Sequence, residues 1–241
     1  IADHWGGSVT FHHSMPDAST RGDTTQMGAL FSGPLTDNLG VRIGANVTDR
    51  RSDRQEDQTP GSKAENANLQ FHWRLNDDHA LTIEGSRGVQ RNTGAGDVYA
   101  WGLSKLVQTG YVLGHDGRYG DTTTSKTTLV QNDYKDKGSA VGNHSKETVF
   151  DTAFTTGFHW GFEHSPNVGG QWKREQLENS DPIGTVPVTW TGSSLISPTS
   201  EPDSWALFAA DHTTLPHRFS LTLDVRWAHS PNSLSTFIPP F

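Results

Sequence analysis

The stretch that decides the fold runs from Leu39 to Thr48 and reads LGVRIGANVT. Apolar side chains alternate there with polar side chains or glycine at every position. Successive side chains of a β-strand point to opposite faces of a sheet, whereas a helix would repeat its apolar positions every 3.6 residues. The stretch therefore predicts a β-strand with one apolar face and one polar face.

The same alternation recurs along the chain, and segments rich in turn-forming residues separate its occurrences. The alternation predicts strands near residues 4–12, 26–32, 39–48, 66–75, 81–89, 126–134, 146–158, 168–177, 204–210 and 219–227. Segments 92–125 and 181–203 are interpreted as long connections. About ten strands without a helical period between caps predict an all-β fold.

The composition restricts the class of protein. Hydrophobic residues make up 32% of the 241 residues and aromatic residues 10%, and the mean hydropathy is -0.62. The aromatic content argues against disorder. The longest apolar run, residues 205–210, is far shorter than the roughly 20 residues of a membrane-spanning helix. Strands of a membrane β-barrel need only about 9 to 11 alternating residues, so a barrel in a membrane stays possible.

The sequence lacks the residues or motifs that several classes of function require. The formal net charge of -8 argues against a nucleic-acid partner, and the lack of cysteine rules out thiolate chemistry. We find no nucleophile elbow, phosphate loop or dinucleotide fingerprint, so we expect no enzyme. Neither His12-His13 nor the run 159–164 predicts a metal site, because adjacent strand residues face opposite sides and the second run lies in a predicted turn. The tripeptide Arg21-Gly22-Asp23 is interpreted as chance rather than as an adhesion motif.

Alternation in an all-β chain fits either a soluble sandwich or a transmembrane barrel. Three features favour the barrel. Aromatic rings lie near strand ends, short turns alternate with long connections along the chain, and the polar faces of the strands, which would point inward, carry charges. Those charges are Arg42, Arg74, Glu84, Asp224 and Arg226. A soluble β-sandwich binding module with ligand contacts on its loops remains the alternative.

Residues 31–46, which read FSGPLTDNLGVRIGAN, resemble the early barrel hairpin of TonB-dependent outer-membrane receptors of the ferric enterobactin receptor group. Segments 73–84 and 204–226 resemble later hairpins of the family in the same order. The resemblance implies an antiparallel up-and-down transmembrane β-barrel in the outer membrane of a Gram-negative bacterium. It also implies that residues 1–241 are the N-terminal part of a 22-stranded barrel, with the plug domain and the C-terminal half of the barrel absent.

The resemblance further implies a function and its partners. Receptors of this family take up a ferric siderophore, which is the ligand that we expect here, without a further cofactor. The other implied partners are outer-membrane lipid and, only through a plug domain, the TonB-ExbB-ExbD complex. A catecholate siderophore would be an aromatic and anionic iron chelate.

The connection from Arg91 to Asp121 is the predicted ligand-contact segment. It combines rings and cations that suit such a chelate through stacking, cation-π contacts and charge-assisted hydrogen bonds. An interfacial aromatic girdle with solvated loop charges explains the same residues equally well. The candidate ligand-binding residues are Arg91, Tyr99, Trp101, Lys105, Tyr111, Arg118 and Tyr119.

Overall fold

The computed structural model describes residues 4–16, 21–53, 61–93, 105–137, 142–180, 199–200, 203–215 and 219–230. The described residues form one sheet of thirteen strands. Its strands are β1 (Gly6–Ser14), β2 (Thr24–Thr36), β3 (Leu39–Arg50), β4 (Gly61–Arg74), β5 (His79–Thr93), β6 (Lys105–Tyr119), β7 (Thr123–Lys137), β8 (Gly142–Thr156), β9 (Phe158–Trp160), β10 (Phe162–Ser180), β11 (Thr199–Ser200), β12 (Asp203–Thr214) and β13 (Ser220–His229). No helix in these ranges has the length and hydropathy of a membrane span.

The sheet is an antiparallel meander. Eleven strands lie side by side in chain order, and the short strands β9 and β11 add to β10. Strands β1 and β13 are the two edges of this sheet. The order confirms the predicted all-β, up-and-down architecture.

The two ends of the strands differ in their connections. At one end the chain turns within a few residues, as it does at 37–38, 75–78 and 120–122. We call this end the short-turn edge. At the other end the connections include 51–60, 94–104 and 181–198. We call this end the long-connection edge, and it confirms the predicted asymmetry of short and long connections.

The prediction of one connection over residues 92–125 was wrong. Residues Lys105–Tyr119 form strand β6, which pairs with β5 on one side and β7 on the other. Leu106 and Val112 interrupt the alternation because they lie on the same face as Gln108 and Asp116. Hydrogen bonding to both neighbours, rather than a local apolar pattern, makes this segment a strand.

The register places alternate residues of all strands on two faces. One row of directly paired residues crosses eight strands without a charge: Val41, Phe71, Ile83, Leu113, Leu129, Phe150, Trp172 and Trp205. The face that carries this row is called the apolar face. The opposite face, called the polar face, carries the predicted inward charges Arg42, Arg74, Glu84, Asp224 and Arg226.

The apolar face has no second layer of protein over it within the described ranges. Ile43 and Leu113 are each 47% exposed, and no large side chain among the described residues is fully buried. A soluble sandwich would cover this face with a second sheet. The uncovered face argues against the sandwich and fits contact with lipid hydrocarbon.

Placing a charge on the apolar face should destabilise the membrane-inserted protein. We expect Ile43→Arg in the complete protein to lower the free energy of unfolding by about 2 to 4 kcal/mol if the residue lies near the bilayer midplane. The matched control is Arg42→Gln on the polar face, which should change it far less. Reversible unfolding by denaturant in lipid vesicles measures both values. A neutral Ile43→Arg beside a severely destabilised Arg42→Gln would show that the two faces are inverted.

Candidate functional site

The polar face carries amides, hydroxyls and glycines over its first six strands. A cleft of about 510 Å³ opens there, and its polar lining includes Ser8, Thr10, Asn46, Asn68, Ser86 and Gln108. Glycines pair directly with the longer amides: Gly44 lies opposite Asn68, and Gly88 lies opposite Asn66. The side-chain oxygens of Asn68 and Asn66 occupy the space that a side chain at Gly44 or Gly88 would need.

Charged groups of the polar face are joined across neighbouring strands. The Lys173 Nζ lies 2.8 Å from a Glu147 carboxylate oxygen and 2.6 Å from one of Glu175. Further along, the Gln171 amide donates a hydrogen bond of 3.1 Å to Asp151. These pairs satisfy charges that a sheet face in hydrocarbon could not carry. The polar face is therefore suited to an aqueous lumen.

The structure does not bring the predicted ligand residues together. Arg91 pairs directly with Lys105, and both lie on the apolar face at the long-connection edge. Tyr111 lies within the apolar face and is 56% exposed. Tyr99 and Trp101 lie outside the described residues.

Arg118 and Tyr119 end strand β6 at the short-turn edge. Since β6 has 15 residues, they lie roughly 45 Å from Lys105 along the strand. The Arg118 guanidinium forms an ion pair of 2.6 Å with Asp78, and the Tyr119 ring meets the His79 ring edge-on. These two residues therefore close a turn and cannot share one loop with Lys105.

Two connections are tied together at the long-connection edge by contacts that the sequence did not reveal. The Gly22 amide donates a hydrogen bond of 2.8 Å to the Asp53 carboxylate, and Arg50 donates one of 2.7 Å to the same oxygen. The Arg51 amide donates to the Asp23 carbonyl at 3.0 Å. We call these five residues the loop clamp. The glycine and aspartate of the Arg21-Gly22-Asp23 tripeptide thus have a structural role.

The geometry of the loop clamp explains both its glycine and its charge state. A Cβ at position 22 would overlap the Arg51 carbonyl oxygen, so only glycine fits this close approach. The hydrogen bond from the Gly22 amide, followed by the charge and hydrogen bond of Arg50, holds the pKa of the Asp53 carboxyl below its ordinary value. The carboxylate stays ionised, and it fixes the position of both connections.

The histidine clusters make contacts of a structural kind. The His164 imidazole lies 2.8 Å from the Asp211 carboxylate and 3.1 Å from the Thr213 hydroxyl, and it stacks on Phe158. His13 pairs with the Thr25 hydroxyl at 2.9 Å. No set of three or more His, Asp or Glu side chains within the described ranges is placed to hold a metal ion.

Comparisons with known proteins agree with this architecture. The family model described as TonB dependent receptor-like, beta-barrel, matches residues 8–238. The iron-regulated outer membrane virulence protein of Vibrio cholerae serotype O1 is 23% identical to the chain, over 98% of the chain and 35% of that protein. The ferric enterobactin receptor of Pseudomonas aeruginosa is 23% identical, over 92% of the chain and 37% of that protein. The chain thus spans about a third of the length of these curated relatives.

A solved structure shows the same fold. The crystal structure of the siderophore receptor PirA from Acinetobacter baumannii superimposes on the chain with a TM-score of 0.83. The match covers 97% of the chain and 40% of that protein, at 17% sequence identity. At this identity the likeness establishes the fold alone.

The loop clamp should weaken in acid. Because the pKa of Asp53 is lowered in the folded protein, the clamp is fully formed above the ordinary aspartate pKa of about 4 and is lost as the pH falls through the lower folded value. We expect hydrogen-exchange protection of the Gly22 amide, corrected for the intrinsic rate, to fall over that range. Asp53→Ala should remove the protection at neutral pH, whereas Asp77→Ala at the short-turn edge should leave it unchanged. Equal protection in Asp53→Ala and the unaltered protein would contradict this role.

Proposed function

Because the chain belongs to the TonB-dependent receptor β-barrel family, we propose that it forms part of the wall of an outer-membrane receptor that takes up a ferric siderophore. The family consists of receptors rather than enzymes, and the relatives are outer-membrane proteins of Gram-negative bacteria. In this function the sheet separates lipid from an aqueous passage, and the passage admits the ligand.

The observation that carries the proposal is the division of one sheet into two faces. The apolar row through Val41 and Phe150 crosses eight strands and has no protein layer over it in the described part of the chain. The opposite face holds ion pairs such as Lys173 with Glu147. A wall between hydrocarbon and water requires this arrangement.

We infer that the substrate is a catecholate ferric siderophore. One relative is named a ferric enterobactin receptor and another is named iron-regulated, which supports this class of ligand. Tyr99 and Trp101 fall in segment 94–104, between β5 and β6 at the long-connection edge. Aromatic side chains there would stack on the catechol rings of the ligand as it arrives.

The proposed receptor depends on the TonB-ExbB-ExbD complex. An outer membrane holds no energy source of its own for concentrating a bound ligand, so a partner must supply the work. The chain's membership of the TonB-dependent receptor family supports TonB as the partner that supplies this energy. The contact would involve a plug domain, because the described sheet presents only a wall.

Deleting the gene should abolish the energy-dependent uptake of an iron-55-labelled catecholate siderophore in cells without another receptor for it. Uptake should return with the complete gene, and it should not return when TonB is also deleted. Uptake of labelled iron citrate is the control for general iron import. Unchanged catecholate uptake in the deletion strain would refute the proposed substrate.

The aromatic residues of segment 94–104 should contribute to binding. We expect the variant Tyr99→Ala/Trp101→Ala of the complete receptor to bind the ferric catecholate about tenfold more weakly, since each aromatic contact is worth about 0.5 to 1.5 kcal/mol. Tyr119→Ala is the matched control, because Tyr119 lies at the short-turn edge. Quenching of tryptophan fluorescence by the ferric chelate measures the dissociation constants. A loss in Tyr119→Ala equal to that in the double variant would contradict this assignment.

A further inference from the structure

The polar face divides into two sectors of different charge. Across strands β1 to β6, two adjacent rows of directly paired residues contain no charged side chain. One row runs through Thr10, Gly28, Asn46, Asn66, Gly88 and Gln108. The other row runs through Ser8, Leu30, Gly44, Asn68, Ser86 and Gly110. We call these two rows the amide floor.

The polar side chains of the amide floor lie close against the sheet. Four of them place an oxygen atom so near the directly paired residue that a Cβ there would overlap it, and that residue is a glycine in each case. The four pairs are Thr10 with Gly28, Asn68 with Gly44, Asn66 with Gly88, and Ser86 with Gly110. The floor is therefore low, and it borders the cleft of about 510 Å³.

The amides of the floor keep hydrogen-bond donors for a ligand. The side chains of Asn46, Asn66 and Asn68 form no hydrogen bond with another residue in the described part of the chain. Gln108 donates one long hydrogen bond of 3.4 Å to the Tyr134 hydroxyl. Each side-chain amide carries two N–H donors. A row of neutral donors thus faces the lumen.

A group of carboxylates occupies the polar face of the neighbouring strands β8 and β10. We define the acidic sector by Glu147, Asp151 and Glu175. The cation among them, Lys173, is held at 2.8 Å by one glutamate and at 2.6 Å by the other. The amides of this sector are also engaged, since Asn132 donates to Glu147 at 3.5 Å and Gln171 donates to Asp151 at 3.1 Å. The acidic sector therefore repels an anion and offers it no free donor from these amides.

The charges that border the amide floor towards the short-turn edge balance each other. Arg42 lies directly opposite Gln70, and Gln70 lies directly opposite Glu84. The Gln70 amide donates a hydrogen bond of 3.3 Å to the Glu84 carboxylate. One cation and one carboxylate leave this border without net charge. An anion on the amide floor is therefore neither repelled nor held by a net charge beside it.

We propose that the ferric siderophore crosses the lumen along the amide floor, where Asn46, Asn66 and Asn68 donate hydrogen bonds in turn to its anionic oxygens. Conduction requires binding that is favourable enough for entry and weak enough, over several sites, for release. Neutral amides meet both conditions, whereas lysine or arginine side chains would hold the anion more strongly. The proposal rests on the proposed function, and it names the part of the wall that the substrate passes.

Adding negative charge to the amide floor of the complete receptor tests the proposal. The variant Asn66→Asp/Asn68→Asp adds two carboxylates at nearly constant side-chain volume. We expect the maximal rate of uptake of the iron-55-labelled ferric catecholate, per receptor in the outer membrane, to fall at least about fivefold, because the floor then repels the anion. The dissociation constant measured on de-energised cells should stay unchanged, since capture at the cell surface precedes passage.

The variant Asn167→Asp/Gln171→Glu is the matched control. It adds two carboxylates to the polar face of β10, beside the acidic sector. Its maximal rate of uptake should change less than about twofold, because the added charges lie away from the path. An unaltered rate in Asn66→Asp/Asn68→Asp, an equal loss in both variants, or a loss that arises only from weaker surface binding would overturn the proposal.

A blocking experiment tests the same path without a change of charge. The chain contains no cysteine, so Asn68→Cys and Gln171→Cys each introduce a single thiol into it. A bulky neutral maleimide is added during energised uptake, and mass spectrometry measures the extent of labelling. We expect labelling of the Asn68→Cys variant to stop uptake, and labelling of the Gln171→Cys variant to leave most of it. No labelling at position 68, or equal inhibition at both positions, would overturn the proposal.

The unaltered receptor separates the two proposals. A receptor that imports the ferric siderophore and responds equally to changes on β4 and β10 disproves only the passage along the amide floor. A receptor that imports no ferric siderophore refutes the proposed function, and the passage is refuted with it.

Discussion

The pairing of backbone hydrogen-bonding groups is the constraint on which the rest of this structure depends. Hydrocarbon offers no partner to a peptide N–H or C=O, so each group in a membrane must pair within the protein. The antiparallel meander meets this requirement because backbone hydrogen bonds join each strand to its neighbours among the eleven strands that lie side by side. At β1 and β13, each of which pairs on one side of this sheet, the same requirement calls for partner strands within the bilayer.

Continuous pairing also determines where side chains can act. Because eleven strands pair side by side in one sheet, the two faces extend over the whole sheet. Side chains alternate between these faces along each strand, so a residue's position in its strand decides whether it faces lipid or water. Val112 and Leu113 are neighbours in the chain, and their side chains lie on opposite faces of the sheet. For this reason Arg91 and Lys105, which the sequence suggested as siderophore contacts, become part of a surface on the lipid side.

The short-turn edge and the long-connection edge of the sheet have different roles. At the short-turn edge, compact contacts such as the Arg118–Asp78 ion pair hold the strands in register. At the long-connection edge, the loop clamp joins two connections through the Asp53 carboxylate. The proposed ligand contacts lie at this second edge, where long connections leave room for variation on a rigid wall.

The sequence by itself determined the all-β fold class and the apolar and polar faces of the strands. The reason is that an alternation of period two is visible within each strand, without knowledge of its partners. Val41 and Ile43 against Arg42 are sufficient to predict an apolar and a polar side, and residues 31–46 are sufficient to suggest the family. The tertiary structure alone decided that residues 105–119 are a strand, since their ladder depends on partners in β5 and β7. It also decided the approach of Gly22 to Arg51 and the pairing of Arg91 with Lys105 on the apolar face. These features depend on register between distant segments, which no local pattern encodes.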